Sequence, residues 1–223
     1  MFIDSHCHLS FPELVSQMPA IRQAMADARV DRALCICTTM EEFGDVHALA
    51  LAYDNFWSTV GVHPDNEGVQ EPSVEDLLAK AALPRVVAIG ETGLDYYGME
   101  DRKGGRSVAD LEWQRDRFRT HIRAARACAK PLIIHTRSAS DDTLAILREE
   151  GEDGAGNIAG GVFHCFTESM QVARAALDLG YYLSFSGIIT FKNAQDLRDV
   201  VAFTPLDRIL IETDSPYLAP VPY

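Results

Sequence analysis

Along the chain, short runs of apolar and β-branched residues alternate with longer stretches whose apolar positions recur at helical spacing. Two of the short runs, 86–89 and 132–134, are apolar at every position, the pattern of a strand covered on both faces. The reading predicts strands at 2–8, 33–38, 57–62, 86–90, 132–135, 161–164, 181–185 and 209–212, and helices at 21–28, 42–53, 74–81, 108–128, 141–149, 169–179 and 194–201. Such alternation specifies a parallel sheet with crossover helices. In 223 residues it predicts an α/β fold of the TIM (β/α)8-barrel type, with residues 1–223 forming a single domain. No short repeat, low-complexity tract or linker divides it. Only residues 214–223 follow the last strand, so the final C-terminal helix is expected to be lacking and apolar surface on the last and first strands to be uncovered. The stretches 97–107 and 151–160, rich in charge and glycine, are expected to be the least ordered.

The ends of these strands carry the chemistry. His6 and His8 lie two apart at the end of the first strand, so the pleat directs both imidazoles to one face and makes a bidentate clamp. By itself such a pair is weak evidence, but Glu91, His135, His164 and Asp214 also follow apolar strands directly. In a TIM barrel these ends converge on one face, and a buried imidazole or carboxylate there is costly without a partner. Neutral imidazoles with carboxylates suit Zn or another borderline divalent ion, and carboxylate bridging suits Mn or Mg. Six candidate ligands, His6, His8, Glu91, His135, His164 and Asp214, exceed the needs of one tetrahedral ion. They imply two divalent metal ions, with Glu91, from the middle of the strand order, best placed to bridge them.

Composition narrows the function. A formal net charge of −13 excludes broad electrostatic capture of nucleic acid or anionic membrane, so any nucleic-acid substrate must be held locally. The N-terminus resembles no signal peptide and no apolar run is long enough to span a bilayer, which places the protein in the cytoplasm. Five cysteines without paired spacing fit reduced thiols. Arg115, Arg117, Arg119, Arg123 and Arg126 lie on the long helix among Asp110, Glu112 and Asp116, which predicts a solvated face rather than a nucleic-acid patch. His47 and His121, on helices away from strand ends, are expected to be surface or packing residues.

Several segments in this order resemble the TatD-type metal-dependent hydrolases and deoxyribonucleases, within the amidohydrolase-like barrels. They are Asp4-Ser5-His6-Cys7-His8-Leu9, Gly61-Val62-His63-Pro64, Ile89-Gly90-Glu91-Thr92-Gly93-Leu94-Asp95, Ile133-Ile134-His135-Thr136-Arg137, His164-Cys165-Phe166-Thr167 and Ile211-Glu212-Thr213-Asp214-Ser215-Pro216-Tyr217-Leu218. The resemblance covers nearly the whole chain. It implies one ion on His6, His8 and Asp214, another on His135 and His164, and Glu91 between them. It also implies cleavage of phosphodiester bonds, often 3′ to 5′ on DNA. Members of that family continue beyond this Pro-Tyr into a basic segment and a closing helix.

Within that frame Glu91, Asp214 and His63 are the candidate catalytic residues, with Asp214 orienting or deprotonating the nucleophile. His63 either contacts a phosphate oxygen or leaving group, or orients its loop. Arg137 is read as a bidentate phosphate ligand, with a surface ion pair as the alternative. Glu212 shares the strand face of Asp214 and is expected to support the ligands and complete the substrate side with His63 and Arg137. Asp4 and Asp95 are similar supporting candidates. The leading expectation is a two-metal phosphodiesterase acting on DNA or another phosphodiester. The alternatives are a metal-dependent ester or amide hydrolase, such as an aminoacyl-nucleotide deacylase or cyclic amidase, and a non-catalytic truncated remnant. Oligomeric state is not legible.

Overall fold

Each apolar run forms a strand in the computed structural model, which describes residues 1–99, 101, 103–154, 156 and 158–223. In chain order the elements are β1 (Phe2–Cys7), α1 (Pro12–Val15), α2 (Met18–Asp27), β2 (Val30–Cys35), α3 (Phe43–Ala52), β3 (Phe56–Val60), α4 (Val74–Ala81), β4 (Val86–Asp95), α5 (Glu112–Cys128), β5 (Leu132–Arg137), α6 (Ser140–Glu149), β6 (Gly161–Phe163), α7 (Met170–Asp178), β7 (Tyr182–Phe185), α8 (Gln195–Phe203) and β8 (Ile209–Ile211). Neighbouring strands pair in parallel from β1 through β8, and helices lie between them. The chain is a nearly closed TIM-type barrel.

Local signals explain the helices. α4 starts at a reciprocal capping box: Asp76 N donates to Ser73 Oγ at 3.1 Å and Ser73 N donates to the Asp76 carboxylate at 3.0 Å. Leu77 and Ala81, four apart, then bury the barrel-facing stripe. Along α5 the buried residues Gln114, Arg117, Phe118, His121, Ile122 and Ala125 follow the same spacing, and Ala129 ends the helix in the left-handed region at φ 52°. No helix among the described residues is long and apolar enough to cross a membrane.

The core has two parts. The larger joins strands to helices, through Phe56, Leu77, Ile89, Phe118, Leu132, Phe163 and Leu183 among others. The smaller consists of Ile36, Ala88, Ile133 and Val162, with Leu34 and Leu210 against them, the opposite pleat positions and hence the barrel lumen. His135 and His164 lie two residues beyond Ile133 and Val162, so the same alternation carries them above this apolar floor. Glu91 is out of phase with Ala88, and the chain corrects for this. The β4–β5 register slips between Ile89 and Thr92, and Gly90 adopts φ 148°. A side chain at Gly90 would also meet Ile133 at 2.7 Å. Gly93 is required for a related reason, since a Cβ there would lie 1.9 Å from the carbonyl oxygen of His135. A second slip, between Asp4 and Cys7, falls where β1 carries His6.

The seam between β8 and β1 is bridged largely by side chains. Asp4 accepts from Thr213 N at 2.9 Å and from Thr213 Oγ1 at 2.6 Å. Ser5 Oγ donates to the carbonyl oxygen of Ile211 at 3.0 Å, and Asp214 N to that of His6 at 3.0 Å. After β8 the described residues form turns and no helix, and Ile3 and Ile211 are 53% and 47% exposed. Of the two stretches expected to lack order, residues 100, 102, 155 and 157 lie outside the described residues. The second is better anchored than its composition suggests. Glu152 is completely buried, and its carboxylate accepts from Ala159 N (2.8 Å), Gly160 N (2.9 Å) and Tyr181 Oη (2.8 Å), with Arg126 at 3.6 Å.

Candidate metal centre

All six residues read as ligands meet at the C-terminal mouth of the barrel, and the two oxygens of Glu91 divide them. Glu91 Oε2 lies 3.3 Å from His6 Nε2 and 4.0 Å from His8 Nε2. Asp214 Oδ1 completes this group at 3.5 and 3.4 Å from the same two nitrogens. Glu91 Oε1 faces the other side, 3.3 Å from His135 Nδ1 and 2.7 Å from His164 Nε2. Ligands about 2.0–2.1 Å from a tetrahedral ion stand roughly 3.3 Å apart, so most of these spacings are those of coordination edges. Asp214 holds a positive φ of 56°, tolerable for aspartate, with its N–H on His6 and its carbonyl oxygen accepting from Tyr217 N at 2.8 Å.

Hydrogen bonding fixes which nitrogens are free. His135 Nε2 lies 3.1 Å from Asp95 Oδ2, so its proton resides there and Nδ1 keeps a lone pair for the centre. His164 Nδ1 lies within ion-pair distance of Glu212 Oε1, at 3.4 Å, and Nε2 points at Glu91. His63 also enters the group, 3.4 Å from Glu91 Oε1 and 3.3 Å from His135 Nδ1. Its Nδ1, however, accepts from Asp65 N at 3.0 Å. In the neutral ring the proton is therefore on Nε2, which makes His63 a donor rather than a ligand.

The residues fit a cation by a direct test. The two ring nitrogens that face the centre from His6 and His164, Nε2 in each, are buried without a hydrogen-bond partner among the described residues. Such groups are costly unless something else satisfies them. Charge points the same way. Burial opposes ionisation of Glu91, yet the imidazoles of His164, His63 and His6 hold its carboxyl well below the usual range. Burial likewise opposes the charge on Asp214, and His8 and His6 outweigh it. Burial pushes His63 down to about 3, against the pull of Glu91, so it is neutral at neutral pH.

The centre opens into a cavity of about 510 Å³, lined by His8, His63, Glu91, His135, His164 and Asp214 together with Phe11, Arg137, Ile188, Tyr217 and others. Arg137 is exposed at its edge, its guanidinium 3.6 Å from the Tyr97 ring centroid, and forms no ion pair among the described residues. Glu212 does not line the cavity. It sits behind His164, where Oε1 accepts from Cys165 N at 2.8 Å, which puts it against a candidate ligand and away from the cavity expected to take substrate. Asp95 supports His135 in the same way, whereas Asp4 serves the β1–β8 seam.

Residues 3–223 match the family profile described as TatD related DNase. The chain belongs to the TatD family of metal-dependent hydrolases. Among its relatives, the uncharacterized metal-dependent hydrolase YcfH of Escherichia coli strain K12 is 46% identical over 225 residues, covering 99% of this chain and 80% of YcfH. The 3′-5′ ssDNA/RNA exonuclease TatD of Cronobacter turicensis is 37% identical over 195 residues, or 86% of this chain and 70% of that protein. Among solved structures, the TatD homologue YjjV of Escherichia coli K12 superposes with a TM-score of 0.87 at 32% identity, covering 100% of this chain and 82% of YjjV.

One contributor to this TatD-family site escaped the sequence reading. Arg115 pairs with Glu112 on α5, and Arg119 and Arg123 pair with Glu149 and Glu150 at the end of α6. Arg117 does not belong with them: it is only 3% exposed. Its guanidinium binds Glu71, lies over the Trp113 ring, and donates to the carbonyl oxygens of His63 and Asn66 at 2.8 Å each. His121, one turn on, accepts from Val62 N at 3.0 Å while its Nδ1–H donates to the Arg117 carbonyl oxygen at 2.8 Å, a buried packing role. α5 thus grips the loop that carries His63. Arg117→Ala should lower kcat by about tenfold to a hundredfold, the usual cost of removing a support behind a site. Arg117→Lys should recover only part, because an ammonium cannot reproduce the planar fork. Steady-state kinetics beside metal content and melting temperature check this; normal kcat in a folded Arg117→Ala variant would contradict it.

Proposed function

We propose that the chain is a phosphodiesterase of the deoxyribonuclease type, using two divalent ions to remove nucleotides from DNA in the 3′ to 5′ direction. The observation that carries the reading is the division of the Glu91 oxygens between two donor groups, His6, His8 and Asp214 on one side and His135 and His164 on the other. These two groups would hold divalent ions, whose chemistry would be Lewis acidity toward a phosphoryl oxygen and a water pKa lowered toward about 7. The protein's own groups do the rest. Asp214, at the cavity edge, is placed to orient the attacking water and accept its proton. Arg137, which forms no ion pair among the described residues and lies over the Tyr97 ring, is placed to present two N–H groups to the non-bridging oxygens. His63 Nε2–H donates to an oxygen of the reacting phosphate. The cysteines are all free thiols, which favours a reducing compartment and hence the cytoplasm.

The test is elemental analysis and a substrate panel on protein stripped and reloaded with Zn, Mn or Mg. About two ions per chain and release of mononucleotides from the 3′ end of single-stranded DNA are expected. Saturation without ions bound, or hydrolysis of carboxylic esters or cyclic amides with phosphodiesters inert under every metal, would overturn the reading.

A further inference from the structure

One wall of the cavity is aromatic and takes no part in the donor groups. Phe11 stacks on His8 with ring centroids 5.0 Å apart and planes at 21°. Tyr217 stands edge-on to both, 6.2 Å from His8 and 6.3 Å from Phe11. Packing explains Phe11 in part, since it steadies the His8 ring. It does not explain Tyr217, which is 55% exposed and lines the cavity. Leu218 and Ile188 extend the same lining with apolar surface. The lining also includes Arg137, the one Lys or Arg among its described residues. The cavity therefore offers an apolar, π-rich wall, a reacting centre and, among the described residues, a single cation without an ion pair. Its volume of about 510 Å³ lies within the size range of small-ligand pockets, enough for one nucleotide.

We infer that the Phe11–Tyr217 wall is a nucleobase subsite, stacking one unpaired base of the substrate while Arg137 holds the adjoining phosphate. The inference rests on the phosphodiesterase reading and names what that site recognises: a terminal nucleotide whose base is unstacked from its neighbours. Stacking is indifferent to base identity, because every base presents a π-face. The cation holds one phosphate, and the −13 net charge of the chain offers no general attraction for a long polyanion. A base locked in a duplex cannot lie against this wall, so the subsite selects single strands and frayed ends.

The experiment compares binding of thymidine 5′-monophosphate and of 2-deoxyribose 5-phosphate to the metal-loaded protein by calorimetry, alongside cleavage of short single-stranded oligonucleotides. Wild-type protein is expected to prefer the nucleotide by about tenfold or more, the range of one base–aromatic stack. Tyr217→Ala should bring that ratio close to one, and Tyr217→Phe should restore it. The same alanine variant should raise KM for oligonucleotides more than it lowers kcat. Phe11→Ala should also lose the ratio, with its metal content measured because it touches His8. Equal wild-type affinity for the two ligands, or a ratio preserved in Tyr217→Ala, overturns the subsite. The two readings fail separately: phosphodiester cleavage without base preference removes only the subsite, and base preference without cleavage removes only the assigned reaction.

Discussion

Glu91→Ala is expected to reduce turnover by about a thousandfold or more, the scale of losses at groups that act directly on the reaction. Both carboxylate oxygens face imidazoles, so the substitution withdraws an anion from both donor groups at once. It also leaves His6, His63, His135 and His164 around a void with no negative partner at its middle, so metal content should fall as well. His63→Ala should cost less, about tenfold to a hundredfold, because that ring donates a hydrogen bond from the edge of the centre and holds no lone pair toward it. Kinetics at saturating metal, with elemental analysis of each variant, separate the cases. Equal losses with metal content intact in both would show that Glu91 does not bridge the two groups.

The largest stability effect is expected at Glu152, far from the chemistry. Its carboxylate is buried and accepts from two backbone N–H groups and the Tyr181 hydroxyl, with Arg126 nearby. Burial and the adjacent carboxylate push the Tyr181 hydroxyl well above its usual range, so it stays a donor at any ordinary pH. Glu152→Ala strands all of these donors and should destabilise by about 3–5 kcal/mol, a large share of a typical 5–15 kcal/mol. Tyr181→Phe removes one donor and should cost about 1–3 kcal/mol. The double variant should cost less than the sum, because the two groups share one bond. Denaturant midpoints at constant m-value measure all three; a Glu152→Ala midpoint matching wild type would mean that the carboxylate is solvated in solution.

Much of this was legible in the chain because the barrel ties function to strand ends. With 132–135 and 161–164 read as strands, His135 and His164 fall at their ends, and period two puts them on the same face as Ile133 and Val162, which line the lumen. Glu91 was found by its position after a strand, although its orientation depends on a register slip and on Gly90, which the pattern of apolar residues does not display. What stayed hidden depends on partners distant in sequence. Arg117 was placed on a solvated face because its neighbours are charged, whereas Glu71, 46 residues away, and the His63 carbonyl oxygen draw it inside. Glu152 lay in a stretch whose glycines and charges suggest irregularity, and its Tyr181 partner lies 29 residues on. Glu212 was read from a strand period that ends at Ile211 in the structure, and only the contacts with His164 and Cys165 N display its place behind a candidate ligand. Phe11 was not singled out and Tyr217 entered only as part of the Ile211–Leu218 segment, and folding sets both against His8.

The β1–β8 seam has a mechanical consequence. His6 and His8 belong to the first strand and its end, Asp214 follows the last, and all three converge where Asp4 and Thr213 already fasten the two together. An ion seated among them would be a rivet through the joint of the ring, and loading the centre and shutting the barrel would become a single equilibrium. Its tightening is worth RT ln(1 + [L]/Kd), about 4 kcal/mol at a thousandfold excess over Kd. Chelation then acts as a crowbar at this joint before it affects the rest of the wall. Amide protons around residues 4–8 and 213–215 become the gauge of how far the ring has sprung.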